Sequence, residues 1–170
     1  MTKIFLSLGS NLGDREGNLY NASRALKKII SKIRVSQVYE TQPMYVQDQP
    51  RFLNLVVSGY TDFKCMPLLE KVQDIEKKLG RCRAREVHNG PRTLDIDILL
   101  YGDLIMDTDE ITVPHPKIEE RLFVLVPLLD IDSDLISPST RRPFGESLNK
   151  LTRQGIYTYQ SAEYNWKSID

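Results

Sequence analysis

Residues 89–103 read Asn-Gly-Pro-Arg-Thr-Leu-Asp-Ile-Asp-Ile-Leu-Leu-Tyr-Gly-Asp. Gly90 and Pro91 punctuate a loop, and from Thr93 onward aliphatic and polar residues alternate until Gly102 ends the run. This period of two predicts a strand over 93–101, with Leu94, Ile96, Ile98 and Leu100 on one face and Asp95, Asp97, Leu99 and Tyr101 on the other. Two carboxylates then project the same way, roughly 6.6 to 7 Å apart along the strand. Aspartate is a poor strand former and like charges on one pleat repel, so a bound divalent cation is one reason for the pair. A solvated edge strand that uses charge to blunt edge pairing is another. Leu99 and Tyr101 extend the acidic face with packing residues, which favours a strand running from a wet pocket into the interior.

Working outward, the residues just upstream are basic. Residues 81–92 hold Arg81, Arg83, Arg85 and Arg92 and show no regular period. A solvated charge run is the plain reading. Beside paired aspartates, however, the same arginines supply cations for phosphate oxygens next to carboxylates for Mg²⁺, the two parts phosphoryl chemistry needs. Before this loop, Leu68, Leu69, Val72, Ile75 and Leu79 recur at helical spacing over 66–79, with Gly80 as the stop. Gln73 and Glu76 lie side by side on a flank of that helix.

Further back, residues 4–8 read as a buried strand and 15–32 as a helix that Asp14 can cap. The Gly9 to Gly13 turn between them matches no phosphate-loop pattern. Residues 35–41 are β-rich, a proline-bounded loop follows, and 52–61 is another strand with Phe52, Asn54, Val56 and Ser58 on one face. An amide on a covered face needs hydrogen-bond partners, which neighbouring backbone or a flat heterocycle can provide. Downstream, His115 sits between Pro114 and Pro116, a helix is expected over 117–129 and a short one over 145–153, and 157–170 is left unassigned. The order β-α-β-β-α-β, with extra C-terminal helices, predicts an α+β domain of ferredoxin-like type with a mainly antiparallel sheet.

A chain of 170 residues suits one domain, here residues 1–170 with a core over 4–129 and an extension over 130–170. Lys plus Arg and Asp plus Glu number 23 each, so bulk charge draws the chain neither to nucleic acid nor to an anionic membrane. No run approaches the ~20 apolar residues of a membrane span, and no signal peptide is apparent, so the expected location is cytoplasmic. Cys65 and Cys82 fit no zinc spacing and are expected to be free thiols.

Residues 90–99, Gly-Pro-Arg-Thr-Leu-Asp-Ile-Asp-Ile-Leu, closely resemble the signature of the 6-hydroxymethyl-7,8-dihydropterin pyrophosphokinase family. Gly9-Ser10-Asn11-Leu12, Tyr39-x-Thr41 with Pro43, residues 47–54, Gly80-Arg81-x-Arg83, and residues 112–115 through Arg121-x-Phe123 resemble further family segments in family order. The resemblance implies transfer of the β,γ-diphosphoryl group of ATP to the pterin hydroxymethyl oxygen, releasing AMP, in folate biosynthesis. It implies that Asp95 and Asp97 hold two Mg²⁺ ions, and that Arg83, Arg92, Asp95, Asp97 and His115 carry catalysis. ATP would lie against Gln73, Glu76, Arg83, Arg92, Ile98, Thr112, His115 and Arg121. The pterin would lie between Phe52 and Phe123, with Asn54 and Thr41, Gln42, Pro43 and Met44 at its edge. The implied partners are these two small molecules, with no nucleic acid, no membrane and a monomeric chain. Asn89, Gln42 and Pro116 depart from the tryptophan, proline and aromatic residue common in relatives. Other readings are a different Mg²⁺-dependent phosphoryl or nucleotidyl transferase with a small planar substrate, and a noncatalytic ferredoxin-like binding module.

Overall fold

A computed structural model describes residues 1–44, 48–82, 90–152, 155–161, 163–166 and 169. In chain order the elements are β1 (Thr2–Ser10), α1 (Arg15–Leu26), β2 (Ser31–Val35), β3 (Val38–Thr41), β4 (Phe52–Thr61), α2 (Cys65–Lys78) and β5 (Asp95–Tyr101). The small strands β6 (Met106–Asp107) and β7 (Thr112–Val113), the helices α3 (Leu122–Ile131) and α4 (Phe144–Lys150), and β8 (Ile156–Tyr159) follow. The main sheet has the order β5-β1-β4-β3-β8, with β2 also on β4, and every pair in it is antiparallel. This is the expected ferredoxin-like arrangement, extended by one strand.

One face of the sheet is covered throughout. Leu19, Ala22 and Leu26 of α1 and Leu68, Val72 and Ile75 of α2 pack on Ile4, Leu6, Leu8, Leu53, Leu55, Val57, Ile96 and Ile98. Asp14 starts α1 as expected, its Oδ1 accepting from Gly17 N at 2.9 Å. The other face is covered only in part, where α3 and α4 press Val124, Leu125, Leu128, Phe144 and Leu148 onto Phe5, Val56, Leu99 and Leu100. Beyond the end of α3 the neighbouring strands β5, β1 and β4 change character together. Phe5 gives way to Ser7 and Gly9, Val56 to Asn54 and Phe52, and Leu99 to Asp97 and Asp95. The polar half of this face is the floor of the functional cleft.

Several boundaries differ from the sequence reading. The β5 ladder begins at Asp95, two residues later than the alternation suggested. Its alternation also breaks, because Leu6 opposes Ile98 while Phe5 opposes Leu100, leaving Leu99 as the extra residue of a bulge. Leu100 therefore joins Leu99 under α3, and Tyr101 swings to the α1/α2 side, where its hydroxyl donates to Phe63 O at 2.8 Å. The run over 35–41 is interrupted at Ser36, whose N–H donates to Val56 O and whose Oγ accepts from Val56 N, both at 2.9 Å. The helix expected over 117–129 is a 3₁₀ turn (Ile118–Glu120) and then α3, separated by an extended Arg121 with φ −117° and ψ 108°. Likewise the last short helix ends at Lys150, and the unassigned tail supplies β8. Among the described residues no helix is long and apolar enough to cross a membrane.

Candidate active site

The floor of Ser7, Gly9, Asn54, Asp95 and Asp97 opens into a cleft of about 230 Å³. Its walls are Thr41, Gln42, Met44, Gln49 and Phe52 on one side and Arg92, His115, Arg121 and Phe123 on the other. Eleven residues expected at the site thus meet in one place: Thr41, Gln42, Met44, Phe52, Asn54, Arg92, Asp95, Asp97, His115, Arg121 and Phe123. Pro43 is buried behind the wall. A shallower groove of about 320 Å³ adjoins the cleft and is lined by Gln73, Ile98 and Thr112, the residues expected on the nucleotide side. Asp97 and His115 belong to both spaces, so the acidic pair stands at the junction. Glu76 faces neither: it is 1% exposed and its Oε1 accepts from Ile96 N at 2.8 Å. Arg83, with the rest of 83–89, lies outside the described residues, as does Gln47.

Charge around the two aspartates is uneven. Arg81 Nη1 donates to Asp95 Oδ1 at 2.6 Å and also to Glu76 Oε1, while Arg92 Nε is 3.2 Å from Asp95 Oδ2. Asp97 has no such ion pair among the described residues. Burial pushes its carboxyl up to about 7, and the neighbouring Asp95 charge pushes the same way against the pull of Arg121. Two oxygen ligands on one face, one of them poorly compensated, fit a hard divalent cation that keeps waters and phosphate oxygens as its other ligands.

The aromatic walls carry cations too: the Arg92 guanidinium lies 5.4 Å from the Phe52 ring centre, and that of Arg121 lies 5.6 Å from Phe123. Arg121 and Phe123 reach the cleft because the chain is extended at Arg121, between the 3₁₀ turn and α3. His115 is anchored by its backbone N–H, which donates to Leu99 O at 2.9 Å. Its Nδ1 accepts from Lys117 N at 3.2 Å, which leaves the ring proton on Nε2. Burial and the Arg121 charge push its pKa down to about 4, so the ring is a neutral donor at physiological pH.

On the floor, buried Asn54 donates from Nδ2 to Thr41 Oγ1 of the wall at 2.7 Å, resolving the question of its partner in favour of a side chain. Its Oδ1 faces Gly9, where an added Cβ would come within 3.0 Å, so glycine keeps that part of the floor clear. The first turn after β1 also has a use that the sequence did not disclose. Asn11 Oδ1 accepts from Arg92 N at 2.8 Å, and its Nδ2 donates to Gln49 Oε1 at 3.0 Å, tying both walls to the end of β1. Sequence reasoning missed Ser7, Gly9 and Gln49 as lining residues and Arg81 as the partner of Asp95. The Gly9-Ser10-Asn11 segment was the available signal for Gly9, and the segment over 47–54 for Gln49.

The fold and the cleft define an α+β domain of ferredoxin-like type with two carboxylates set between an aromatic-walled pocket and a second groove. The chain belongs to the 7,8-dihydro-6-hydroxymethylpterin-pyrophosphokinase family, whose model matches residues 5–133. It is 46% identical over 129 residues to the 2-amino-4-hydroxy-6-hydroxymethyldihydropteridine pyrophosphokinase of Bacillus subtilis, covering 75% of this chain and 76% of that one. Against the protein of the same name from Aquifex aeolicus it is 38% identical, covering 86% of this chain and 90% of that one. The folic acid synthesis protein fol1 of Schizosaccharomyces pombe is 43% identical over 92% of this chain, and the chain spans 21% of its length. Among solved structures, an HPPK-DHPS protein crystallised with substrates superposes with a TM-score of 0.72 at 14% identity, over 87% of this chain and 43% of that one. At that identity the likeness concerns the fold.

Proposed function

We propose that the chain transfers the β,γ-diphosphoryl group of ATP to the hydroxymethyl oxygen of 6-hydroxymethyl-7,8-dihydropterin, releasing AMP, as a step of folate synthesis. The observation that carries this reading is the place of Asp97. It borders both the Phe52/Phe123 cleft and the Gln73/Thr112 groove, so an acceptor in one and a nucleotide in the other meet at the acidic pair. Membership of the family and the names of the Bacillus and Aquifex relatives support the same chemistry.

In this reading the pterin ring lies between Phe52 and Phe123, a geometry suited to a flat heterocycle. Asn54 and the backbone of residues 41–44 read its edge by hydrogen bonds. Arg92, Arg121, Arg83 and the Nε2–H of His115 bind phosphate oxygens, and Gln73, Ile98 and Thr112 line the nucleotide groove. Glu76 acts from behind, through Arg81 and the Ile96 amide. Asp95 and Asp97 are the residues that would hold two Mg²⁺ ions, which when bound would supply neutralisation of phosphate charge beside the acceptor. The hydroxymethyl oxygen forms the new bond to the β-phosphorus, the bond to the α,β-bridging oxygen breaks, AMP leaves with the electron pair, and the hydroxyl proton is lost. The same reading treats residues 1–170 as one domain, with its core over 4–129, acting as a monomer in the cytoplasm.

Incubating the purified chain with ATP, Mg²⁺ and the pterin tests the reading: AMP accumulates only when all three are present. AMP release that ignores the pterin would point to a hydrolase instead.

A further inference from the structure

Strand β3 delivers Thr41 to the cleft, yet only three of its residues pair with β4, namely Tyr39 with Asn54, Glu40 with Leu53 and Thr41 with Phe52. Its outer edge is covered over its whole length by β8, with Val38 opposite Tyr159 and Thr41 opposite Ile156. The pairing continues one step past the strand, because Gln42 N donates to Gly155 O at 3.2 Å. An open pocket of about 280 Å³ lies beside this wall, lined by Gln42, Pro43, Leu151, Gly155 and Ile156 and, from the opposite wall of the cleft, by Phe123. Gln42 and Met44 are exposed there and border this open pocket, so the backbone bond to Gly155 is a main hold on their position.

β8 itself is fixed from elsewhere. The Tyr159 hydroxyl donates to Glu16 of α1 at 3.3 Å, Tyr159 packs on the main core, and the Arg51 guanidinium lies 5.8 Å from the Tyr157 ring centre. Gly155 immediately precedes the strand with φ +71°, a conformation that side chains with a Cβ rarely adopt, and a Cβ there would come within 3.3 Å of Gln42 Oε1. The whole segment lies beyond residues 5–133, which carry the family match.

We propose that β8, with Gly155 just before it, is a positioning element for the acceptor substrate. It sets where Gln42 and its neighbours stand over the cleft floor, and so the affinity for pterin, without touching either substrate. The inference rests on the pterin reading given above.

The test uses the full chain with Gly155→Val, which is strained at this φ, and Gly155→Asn, which tolerates the left-handed region better. In the valine variant the pterin KM rises at least about fivefold, while kcat and the ATP KM stay within about twofold. The asparagine variant stays closer to the parent. Hydrogen exchange supplies a local readout: the Gln42 amide is protected in the parent and loses that protection in the valine variant. An unchanged pterin KM in the folded valine variant, or an equal rise in both KM values, overturns the proposal. Where the valine variant does not fold, the parent decides, since a Gln42 amide exchanging at the free rate overturns it and a protected one supports it. Absence of AMP formation by the parent instead overturns the pterin reading, and this inference with it.

Discussion

Arg81 Nη1 stands 2.6 Å from Asp95 Oδ1 and also contacts Glu76, so one guanidinium joins a carboxylate of the cleft to one buried under α2. Arg81 and Glu76 side chains are 7% and 1% exposed, so removing the arginine takes a cationic partner from a buried carboxylate. Arg81→Ala should therefore cost about 3–5 kcal/mol of folding stability. Urea denaturation measures this, and a loss below about 1 kcal/mol would show that Glu76 is compensated otherwise.

Asp97→Asn should separate function from stability. Its folded pKa, about 7, lies above the ordinary 3.8, so ionised Asp97 opposes folding. That opposition begins as pH rises past the ordinary value and is complete above the folded one. Without Mg²⁺ the variant should melt higher than the parent at pH 8, by roughly 2 to 4 °C for each kcal/mol of repulsion removed. The advantage should shrink towards pH 4 and vanish below the ordinary value of 3.8, where both states of the parent carry the proton. A variant that melts lower at pH 8 would refute this, and AMP production should be nearly abolished throughout.

For His115 the direction is opposite. Its folded pKa of about 4 is below the ordinary 6.5, so the folded protein resists the proton that the unfolded chain takes up. His115 therefore lowers stability progressively as pH falls from the ordinary value towards the folded one. Ring-nitrogen NMR should show a neutral Nε2–H imidazole at pH 6, and a protonated ring there would contradict the assigned role of neutral donor.

Asn54→Ala should remove an edge contact to the pterin and leave the Thr41 hydroxyl without its partner. About tenfold weaker pterin binding is expected, corresponding to the ~1–2 kcal/mol of one such bond, with the ATP KM unchanged. Equilibrium titration with the pterin distinguishes this from a general loss of fold, which would weaken both ligands.

How much of this was legible in the sequence depends on the range of the interactions. The aspartate pair was visible because strand alternation is local, and the ferredoxin-like order followed from element sequence. The Leu99 bulge was hidden, since all the candidate residues were apolar and only the register against β1 decides which of them turns. Arg121 was expected within a helical pattern, and tertiary packing of the 3₁₀ turn overrode it. Ser7 read as part of a buried strand and Gly9 as the start of a turn, because what leaves them open is the end of α3, an element more than a hundred residues away in sequence. β8 is made of the β-branched and aromatic residues Ile156, Tyr157, Thr158 and Tyr159, but four residues are too short a run to fix a strand, and its partner β3 lies more than a hundred residues away.

The central claim is that two phosphoryl groups move together. Phosphorus NMR of a reaction containing the chain, ATP, Mg²⁺ and 6-hydroxymethyl-7,8-dihydropterin tests it directly. The account predicts AMP in equal amount with a pterin carrying two coupled phosphorus resonances. ADP with a pterin carrying a single uncoupled phosphorus would contradict it.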